Sequence, residues 1–494
     1  MTKLSSLSLE AMCTGLRSGD FSCRELLAAH IERIRACDNL QAFLEVSTDK
    51  ALARADLLDR EPSNQRSAPL YGIPVAIKDM ILTKGTSSTA GSQILNQFVS
   101  PYDATVVEKL TAAKGIVLGK TNLDEFGMGS STEHSAYTTT LNPWNTSKVP
   151  GGSSGGSAVA VASGQAPAAL GTDTGGSVRQ PASFCGVVGI KPSYGRVSRW
   201  GVVAYASSLD QVGVLTRTVR DSALVTRTIA GHDPRDATSH PVEVPDFVAA
   251  TCGDVRDMRI GIPREYFVEG IDPQVEKAVK AALETLQDQG ATLVDISLPH
   301  TQYALAVYYI IAPAEASSNL ARYDGVRYGA RAKSPRDLLD LYTRTRSEGF
   351  GTEVKRRILI GTYVLSTGYY DQYYAHAQKV RTLVTQDFER AFYSDCDLIA
   401  CPTAPTTAFS LDDMTQDPLA MYLNDAYTVP VNLAGLPAMS LPCGFDSTGL
   451  PIGLQLIGRA FDEERIFCAA GVYERSTEWH KRLPCNVEFS EVRG

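Results

Sequence analysis

Apolar and polar positions along this chain follow two different periods, and the switches between them mark its elements. Residues 8 to about 60 carry the helical period. Leu26, Leu27, Ile31 and Ile34 fall on one stripe, and Ser22 followed by Glu25 has the spacing of a capping box. A polar run, Glu61-Pro62-Ser63-Asn64-Gln65-Arg66-Ser67, then breaks the pattern. From residue 70 the period shortens: Ile73, Val75 and Ile77 lead into Lys78 and predict a short buried strand. An apolar-periodic helix follows around Ala104 to Ala113, and Gly115-Ile116-Val117-Leu118-Gly119-Lys120 predicts a second strand. Strand, helix, strand is the pattern of an α/β core.

Residues 141 to 217 are rich in Gly, Ser, Thr and small apolar residues, a composition shared with flexible linkers. The tight apolar spacing of Ser157 to Ser163 and of Ala166 to Leu170 argues instead for packed elements in which glycine lets backbones approach closely. Residues 255 to 300 return to alternating units, with strands at Met258–Pro263 and Ala291–Ile296 around an amphipathic helix from Val275 to Leu286. Residues 302 to 395 read as mostly helical, with a turn at Ser366-Thr367-Gly368 among Tyr363, Tyr369, Tyr370, Tyr373 and Tyr374, which read as packing residues. Residues 396 to 460 read as strands and turns, Cys396 to Pro402 and Ala438 to Pro442 being buried strands. No internal repeat is evident.

Composition narrows the functional classes. The 494 residues suffice for one large α/β domain or for two or three average ones. With 44% hydrophobic and 21% charged residues, long disorder is not expected. The net charge is −8, and the strongest basic cluster, Lys355-Arg356-Arg357, is too small a footprint for nucleic acid, so any such contact is expected to be indirect. The cysteines, Cys13, Cys23, Cys37, Cys185, Cys252, Cys396, Cys401, Cys443, Cys468 and Cys485, form no C-x-x-C pair and read as buried free thiols, with no metal site. The first residues lack the apolar core of a secretory signal and no 18-residue apolar span follows. A cytoplasmic protein without a membrane contact is expected.

Three segments carry candidate chemistry: Lys78 at its strand end, the run Gly151-Gly152-Ser153-Ser154-Gly155-Gly156-Ser157, and Asp173-Thr174-Gly175-Gly176-Ser177-Val178-Arg179-Gln180-Pro181. A serine hydroxyl needs a base to become a nucleophile. Of the seven histidines only His134 lies in the motif-rich region. Lysine can replace histidine if it is neutral, which at pH 7 costs roughly 4 to 5 kcal/mol from an unperturbed pKa of about 10.4. Burial at a strand end can supply that shift, and alternation along the strand would send the adjacent Asp79 to the other face. The glycines before Ser177 leave the N–H groups of Thr174, Gly175, Gly176 and Ser177 open to form an oxyanion hole. Gly151 to Gly155 also fits the G-x-S-x-G elbow of α/β-hydrolases, with low specificity, and lacks the Lys-Ser/Thr ending of a phosphate loop. Taken singly, each segment reads as a surface lysine or a tight glycine turn.

Taken together and in this order, with the continuation Gly186-Val187-Val188-Gly189-Ile190-Lys191-Pro192, they resemble the amidase signature family. The resemblance implies a single amidase domain over residues 1–494, an α/β fold with a mixed central β-sheet covered by helices on both faces, and an N-terminal helical segment, 1–65, packed on it. It implies a Ser-Ser-Lys triad with Ser177 as nucleophile, Ser153 as proton relay and Lys78 as base. It is the resemblance, not the spacing, that selects Ser153 over Ser154.

Stretches outside these motifs, Ala314 to Gly325, Glu353 to Ile358, Tyr422 to Asp425 and Thr428 to Pro437, are similar to the glutaminase subunits of tRNA-dependent amidotransferases within that family. This implies glutamine as amide donor, its α-carboxylate held by Arg357 and its α-ammonium by Asp425, with Tyr308 or its neighbour Tyr309 lining the pocket. It implies a heterotrimer with the B and C subunits of such an amidotransferase, no cofactor in this chain, ATP and Mg at the B subunit, and Glu-tRNA(Gln) met mainly through the B subunit. Ammonia would pass to that partner through a channel. The alternatives are a stand-alone amidase acting on another small amide and a scaffold without catalysis, the second disfavoured by the intact Lys78, Ser153 and Ser177.

Overall fold

A computed structural model describes residues 4–267, 270–414 and 418–484; Cys485 lies outside them. The strands are β1 (Phe43–Val46), β2 (Pro74–Lys78), β3 (Ile116–Thr121), β4 (Ala168–Asp173), β5 (Val188–Lys191), β6 (Gln211–Thr216), β7 (Arg259–Pro263), β8 (Thr292–Ile296), β9 (Leu398–Pro402), β10 (Ala438–Phe445) and β11 (Pro451–Ile457). They form one 11-stranded sheet in the order β1-β3-β2-β4-β6-β5-β10-β11-β9-β7-β8. The sheet is mixed, as expected: β2 runs parallel to β3 and β4, and β7 parallel to β8 and β9, while β4, β6, β5, β10, β11 and β9 pair antiparallel in succession.

Both faces of the sheet are buried. Along β9, Leu398 and Ala400 enter one apolar cluster, with helices Leu9–Ser18, Cys23–Ala36, Val219–Ile229, Pro273–Asp288 and Glu463–Arg475. Ile399 and Cys401 enter the other, with helices Ala304–Asn319 and His376–Arg390. That alternation is why the central strands read as continuous apolar runs.

The capping box forms: Ser22 Oγ accepts from the Glu25 N–H (3.1 Å) and Glu25 Oε2 accepts from the Ser22 N–H (2.8 Å). The helical reading of residues 8–60 fails at β1, which pairs with β3 as an edge strand. Four residues are too few for a period to register against flanking helices. Within 396–460, Pro418–Leu423 and Val429–Leu433 are short helices, not strands or turns. In the second, Pro430 occupies the first turn, where its missing N–H costs nothing.

The fold aims chain ends at one place. β2 and β4 are adjacent and parallel, so Lys78 and Thr172-Asp173 arrive side by side at their carboxyl ends. The glycine-rich segment is no linker: helix Gly155–Ala162 is wholly buried, and Ser154 at its N-cap meets both strand ends.

Candidate active site

Lys78 is fully buried at the end of β2. Its Nζ donates to Ser153 Oγ (2.7 Å), Thr172 Oγ1 (2.8 Å) and Ser154 Oγ (2.9 Å), with Thr172 O at 3.4 Å. No carboxylate among the described residues accepts from it. Desolvation pulls its pKa from 10.5 down to about 7, against the opposing fields of Asp124, Asp173 and Asp210. Two other lysines are equally buried but differently met. Lys120 Nζ lies 3.0 Å from Asp79 Oδ1, and Lys191 donates to the carbonyls of Pro192 (3.1 Å) and Leu436. Only a neutral amine surrounded by hydroxyls can take a proton from one of them, and of these three lysines Lys78 alone has that shell.

The geometry separates the two adjacent serines. Ser154 Oγ donates its own proton to Thr172 O (3.1 Å) while accepting from Lys78, so it braces the amine. Ser153 Oγ has Lys78 as its sole hydrogen-bond partner among the described residues, which leaves its proton free to move.

Ser177 follows β4 in the turn Thr174 to Val178, and its hydroxyl bonds to nothing among the described residues. The turn is held from below by Asp173, whose Oδ1 accepts from the Gly176 N–H (2.9 Å) and whose Oδ2 accepts from the Val178 N–H (3.2 Å). Burial alone would raise the Asp173 pKa, but Arg179 at 3.0 Å holds it far below the usual carboxylate range. Arg179 also reaches Gln455 (2.6 Å) and the Thr428 carbonyl (3.2 Å). Gln180 clamps the serine segment by accepting from the Gly152 N–H (2.9 Å) and donating to Ser130 O (3.0 Å). The Ser154 N–H donates to Ser177 O at 3.1 Å, which joins the two glycine-rich segments directly.

Of the four N–H groups expected to form the oxyanion hole, one already has an acceptor in the turn. The Gly176 N–H is committed to Asp173, whereas those of Thr174, Gly175 and Ser177 donate to nothing among the described residues. Glycine is required in the turn for steric reasons. A Cβ on Gly175 would stand 2.8 Å from the Tyr308 ring, and Gly176 has φ +135° with Thr428 2.2 Å from any Cβ there.

Arg357 lies on the helix Thr352–Val364, 3% exposed, donating from Nε to Glu353 Oε1 (2.8 Å) and from Nη1 to Tyr205 Oη (2.6 Å). The rings of Tyr205, Tyr309 and Tyr422 surround its guanidinium at 5.3–5.7 Å. Asp425 follows the helix Pro418–Leu423; its Oδ2 accepts from Ser130 Oγ (2.7 Å), and burial raises its pKa to about 7. Arg357 tempers that rise, so the two groups share one field. Tyr308 roofs the Gly175 turn, while Tyr309 stacks on Tyr422 with ring centroids 3.8 Å apart. Of the two tyrosines that the sequence left open, Tyr308 thus meets the Gly175 turn and Tyr309 meets Arg357 and Tyr422.

The sequence reading overlooked Thr172, Ser130, Tyr205, Asp210 and Glu353. Thr172 carried the available signal, a lone hydroxyl near the end of a buried strand, as Lys78 is a lone cation there. Among the described residues no group of three or more His, Cys, Asp or Glu could hold a metal, and no helix is long and apolar enough to cross a membrane.

A fully buried lysine bonded to a serine beside a glycine-rich serine turn is the arrangement that hydrolytic acyl transfer calls for. The profile of the amidase family matches residues 25–467, and the chain belongs to that family. A relative named as the A subunit of glutamyl-tRNA(Gln) amidotransferase, from Chloroflexus aggregans, is 57% identical over 98% of this chain and 99% of its own length. The crystal structure of a protein of the same name from Thermotoga maritima is 44% identical, with a TM-score of 0.79 over 95% of this chain and 94% of that one. The peptide amidase from Stenotrophomonas maltophilia is 29% identical, with a TM-score of 0.81 over 96% of this chain and 97% of that one.

Proposed function

We propose that this chain is the glutaminase subunit of a tRNA-dependent amidotransferase, hydrolysing glutamine and supplying ammonia for conversion of Glu-tRNA(Gln) to Gln-tRNA(Gln). The observation that carries the reading is the Lys78 amine, bonded to Ser153 at 2.7 Å within a shell of hydroxyls. Full-length similarity to relatives named as the A subunit of glutamyl-tRNA(Gln) amidotransferase supports the assignment to a multi-subunit enzyme.

Arg357 receives the α-carboxylate of glutamine, Asp425 the α-ammonium, and Tyr308 bounds the side chain. Ser177 Oγ attacks the carboxamide carbon. Its proton passes to Ser153 Oγ as the Ser153 proton passes to Lys78 Nζ. The N–H groups of Thr174, Gly175 and Ser177 stabilise the oxyanion. As the C–N bond breaks, Lys78 returns the proton through Ser153 to the leaving nitrogen, and ammonia departs from a glutamyl ester on Ser177. Water attacks that ester along the same relay, freeing glutamate and restoring the Ser177 hydroxyl. Activation of the acceptor with ATP and Mg belongs to the B subunit, which carries most contact with Glu-tRNA(Gln), and the small C subunit braces the pair.

The test is ammonia release from glutamine by the purified chain, with and without the B and C subunits, Glu-tRNA and ATP, using Ser177→Ala as the blank. Glutamine-specific release that rises with the partners and vanishes in the blank is expected. Partner-independent release from unrelated amides would assign a stand-alone amidase instead.

A further inference from the structure

Asp210 stands immediately before β6, in the turn where the Leu209 and Asp210 N–H groups both donate to Ala206 O at 2.9 Å. Its position follows from the sheet. β6 pairs antiparallel with β4 and sets Gln211 opposite Asp173, so the residues one step further out, Asp210 and Thr174, face each other across the sheet end. The contact is made: Thr174 Oγ1 donates to Asp210 Oδ1 at 2.7 Å. The same carboxylate accepts from the Tyr205 N–H (2.9 Å) and the Ala206 N–H (3.1 Å), fixing the backbone from which the Tyr205 ring projects. That ring ends at Arg357, whose Nη1 donates to Tyr205 Oη at 2.6 Å. One buried carboxylate therefore bonds to both halves of the site, through the Thr174 hydroxyl on one side and the Tyr205 backbone on the other.

We propose that Asp210 is a positioning residue that sets the oxyanion turn through Thr174 and the carboxylate-binding arginine through Tyr205, locking the distance between bond-breaking and recognition. This rests on the glutaminase reading given above. The two arms are physically distinct. Loss of the Thr174 bond frees the turn whose N–H groups must meet the oxyanion, an interaction realised only in the transition state, and so reads in kcat. Loss of the Tyr205 hydroxyl removes an acceptor from Arg357, an interaction felt equally by bound substrate and transition state, and so reads in KM. Asp210 itself, anchoring both, reads in both.

The experiment compares Thr174→Val, Tyr205→Phe, Asp210→Asn and the double variant Thr174→Val/Asp210→Asn by steady-state glutaminase kinetics on the full chain with its partner subunits, normalised to folded protein. Thr174→Val is expected to lower kcat about tenfold with KM within twofold, and Tyr205→Phe to raise KM about tenfold with kcat within threefold. Asp210→Asn is expected to do both, and the double variant to have a kcat no lower than Asp210→Asn alone, because the two residues act as one unit. Wild-type KM and kcat per folded chain in Asp210→Asn, or multiplying kcat losses in the double variant, would overturn the proposal. Should Asp210→Asn not fold, the single-arm variants decide: unchanged constants in both overturn it. A wild-type enzyme that releases no more ammonia than Ser177→Ala overturns the glutaminase reading instead, so the two failures are distinguishable.

Discussion

Lys78 and Asp79 are consecutive in the chain, yet Asp79 pairs with Lys120 at 3.0 Å while Lys78 turns to Ser153, Ser154 and Thr172. Asp79 Oδ2 is further committed to the Thr89 N–H (2.7 Å) and the Thr89 hydroxyl (2.5 Å). A carboxylate facing Lys78 would favour the ammonium and disable a base. Lys120 thus removes from the site the one acid that sequence adjacency would otherwise bring to it.

The unequal bonding of the two serines gives a direct prediction. If Ser153 is the proposed relay, Ser153→Ala is expected to lower kcat about 10²- to 10⁴-fold, the range for loss of general acid–base assistance. Ser154→Ala removes only one of the acceptors around Lys78 and is expected to cost about tenfold. Single-turnover ammonia release from glutamine by the two variants checks the order. Equal losses would mean that both hydroxyls carry protons.

The pH profile follows from two buried groups. In the proposed mechanism Lys78 must be neutral to act, and its pKa is lowered to about 7; Asp425 must be ionised to hold an ammonium, and its pKa is raised to about 7. Below pH 7 both gain a proton, and each gain is inactivating. The acid limb of log kcat/KM, which reports the free enzyme, is therefore expected to approach a slope of two. In the substrate complex the bound ammonium keeps Asp425 ionised, so kcat should fall with a slope of one. Asp425→Asn should reduce the kcat/KM slope to one, and an unchanged slope would remove Asp425 from ammonium binding.

What the sequence made legible divides by range. The strands ending at Lys78 and Lys120, the helix that the apolar period places after Ala104, and the capping box at Ser22 are local patterns, and they recur in the structure within a residue or two. The edge strand Phe43–Val46 exists because β3 offers it a partner, which no local window contains. The same holds in the site. Ser177 and Lys78 announce themselves by motif, whereas Asp210 meets Thr174 only through the β4–β6 register, and Glu353 gains its meaning from Arg357 one helical turn on. The role of Asp173 in occupying the Gly176 N–H required the folded turn to be seen.

Arg357 is held by Glu353 and Tyr205 before any substrate arrives, so its guanidinium is preorganised. Arg357→Lys keeps the charge and loses the planar fork. KM for glutamine is expected to rise about 10- to 100-fold, the worth of about 1.5 to 3 kcal/mol for a charged hydrogen bond, with a smaller change in kcat. A loss confined to kcat would place Arg357 outside substrate recognition.

Asp173 and Arg179 are both fully buried, and each would be an uncompensated charge or an unmatched donor set without the other. Asp173→Asn is expected to destabilise the chain by about 3 to 5 kcal/mol, read as a lowered Tm, because the charge is lost and one of the two acceptor oxygens becomes an NH2 donor. A variant with wild-type Tm would show that Gln455, the Thr428 carbonyl and Asn432, whose Oδ1 also accepts from Arg179 Nη2, suffice to satisfy Arg179.

The contact between Gly175 and Tyr308 can be tested by crowding and then relieving it. A methyl group on Gly175 would stand 2.8 Å from the Tyr308 ring, closer than nonbonded atoms tolerate, and Thr428 Oγ1 already fixes the Gly175 carbonyl at 2.6 Å, so the backbone cannot retreat. Gly175→Ala is therefore expected to displace either the ring or the N–H groups beside Ser177 and to lower kcat/KM for glutamine about 10²-fold. Tyr308→Ala alone loses a pocket wall and should act mainly on KM. If the clash is what disables Gly175→Ala, the double variant will recover kcat above that of Gly175→Ala, a coupling of opposite sign to simple accumulation of damage. Steady-state kinetics of the two single variants and the double variant measure it. Strictly multiplicative losses would mean that Tyr308 does not bear on the turn, and that glycine is needed at position 175 for the approach of substrate alone.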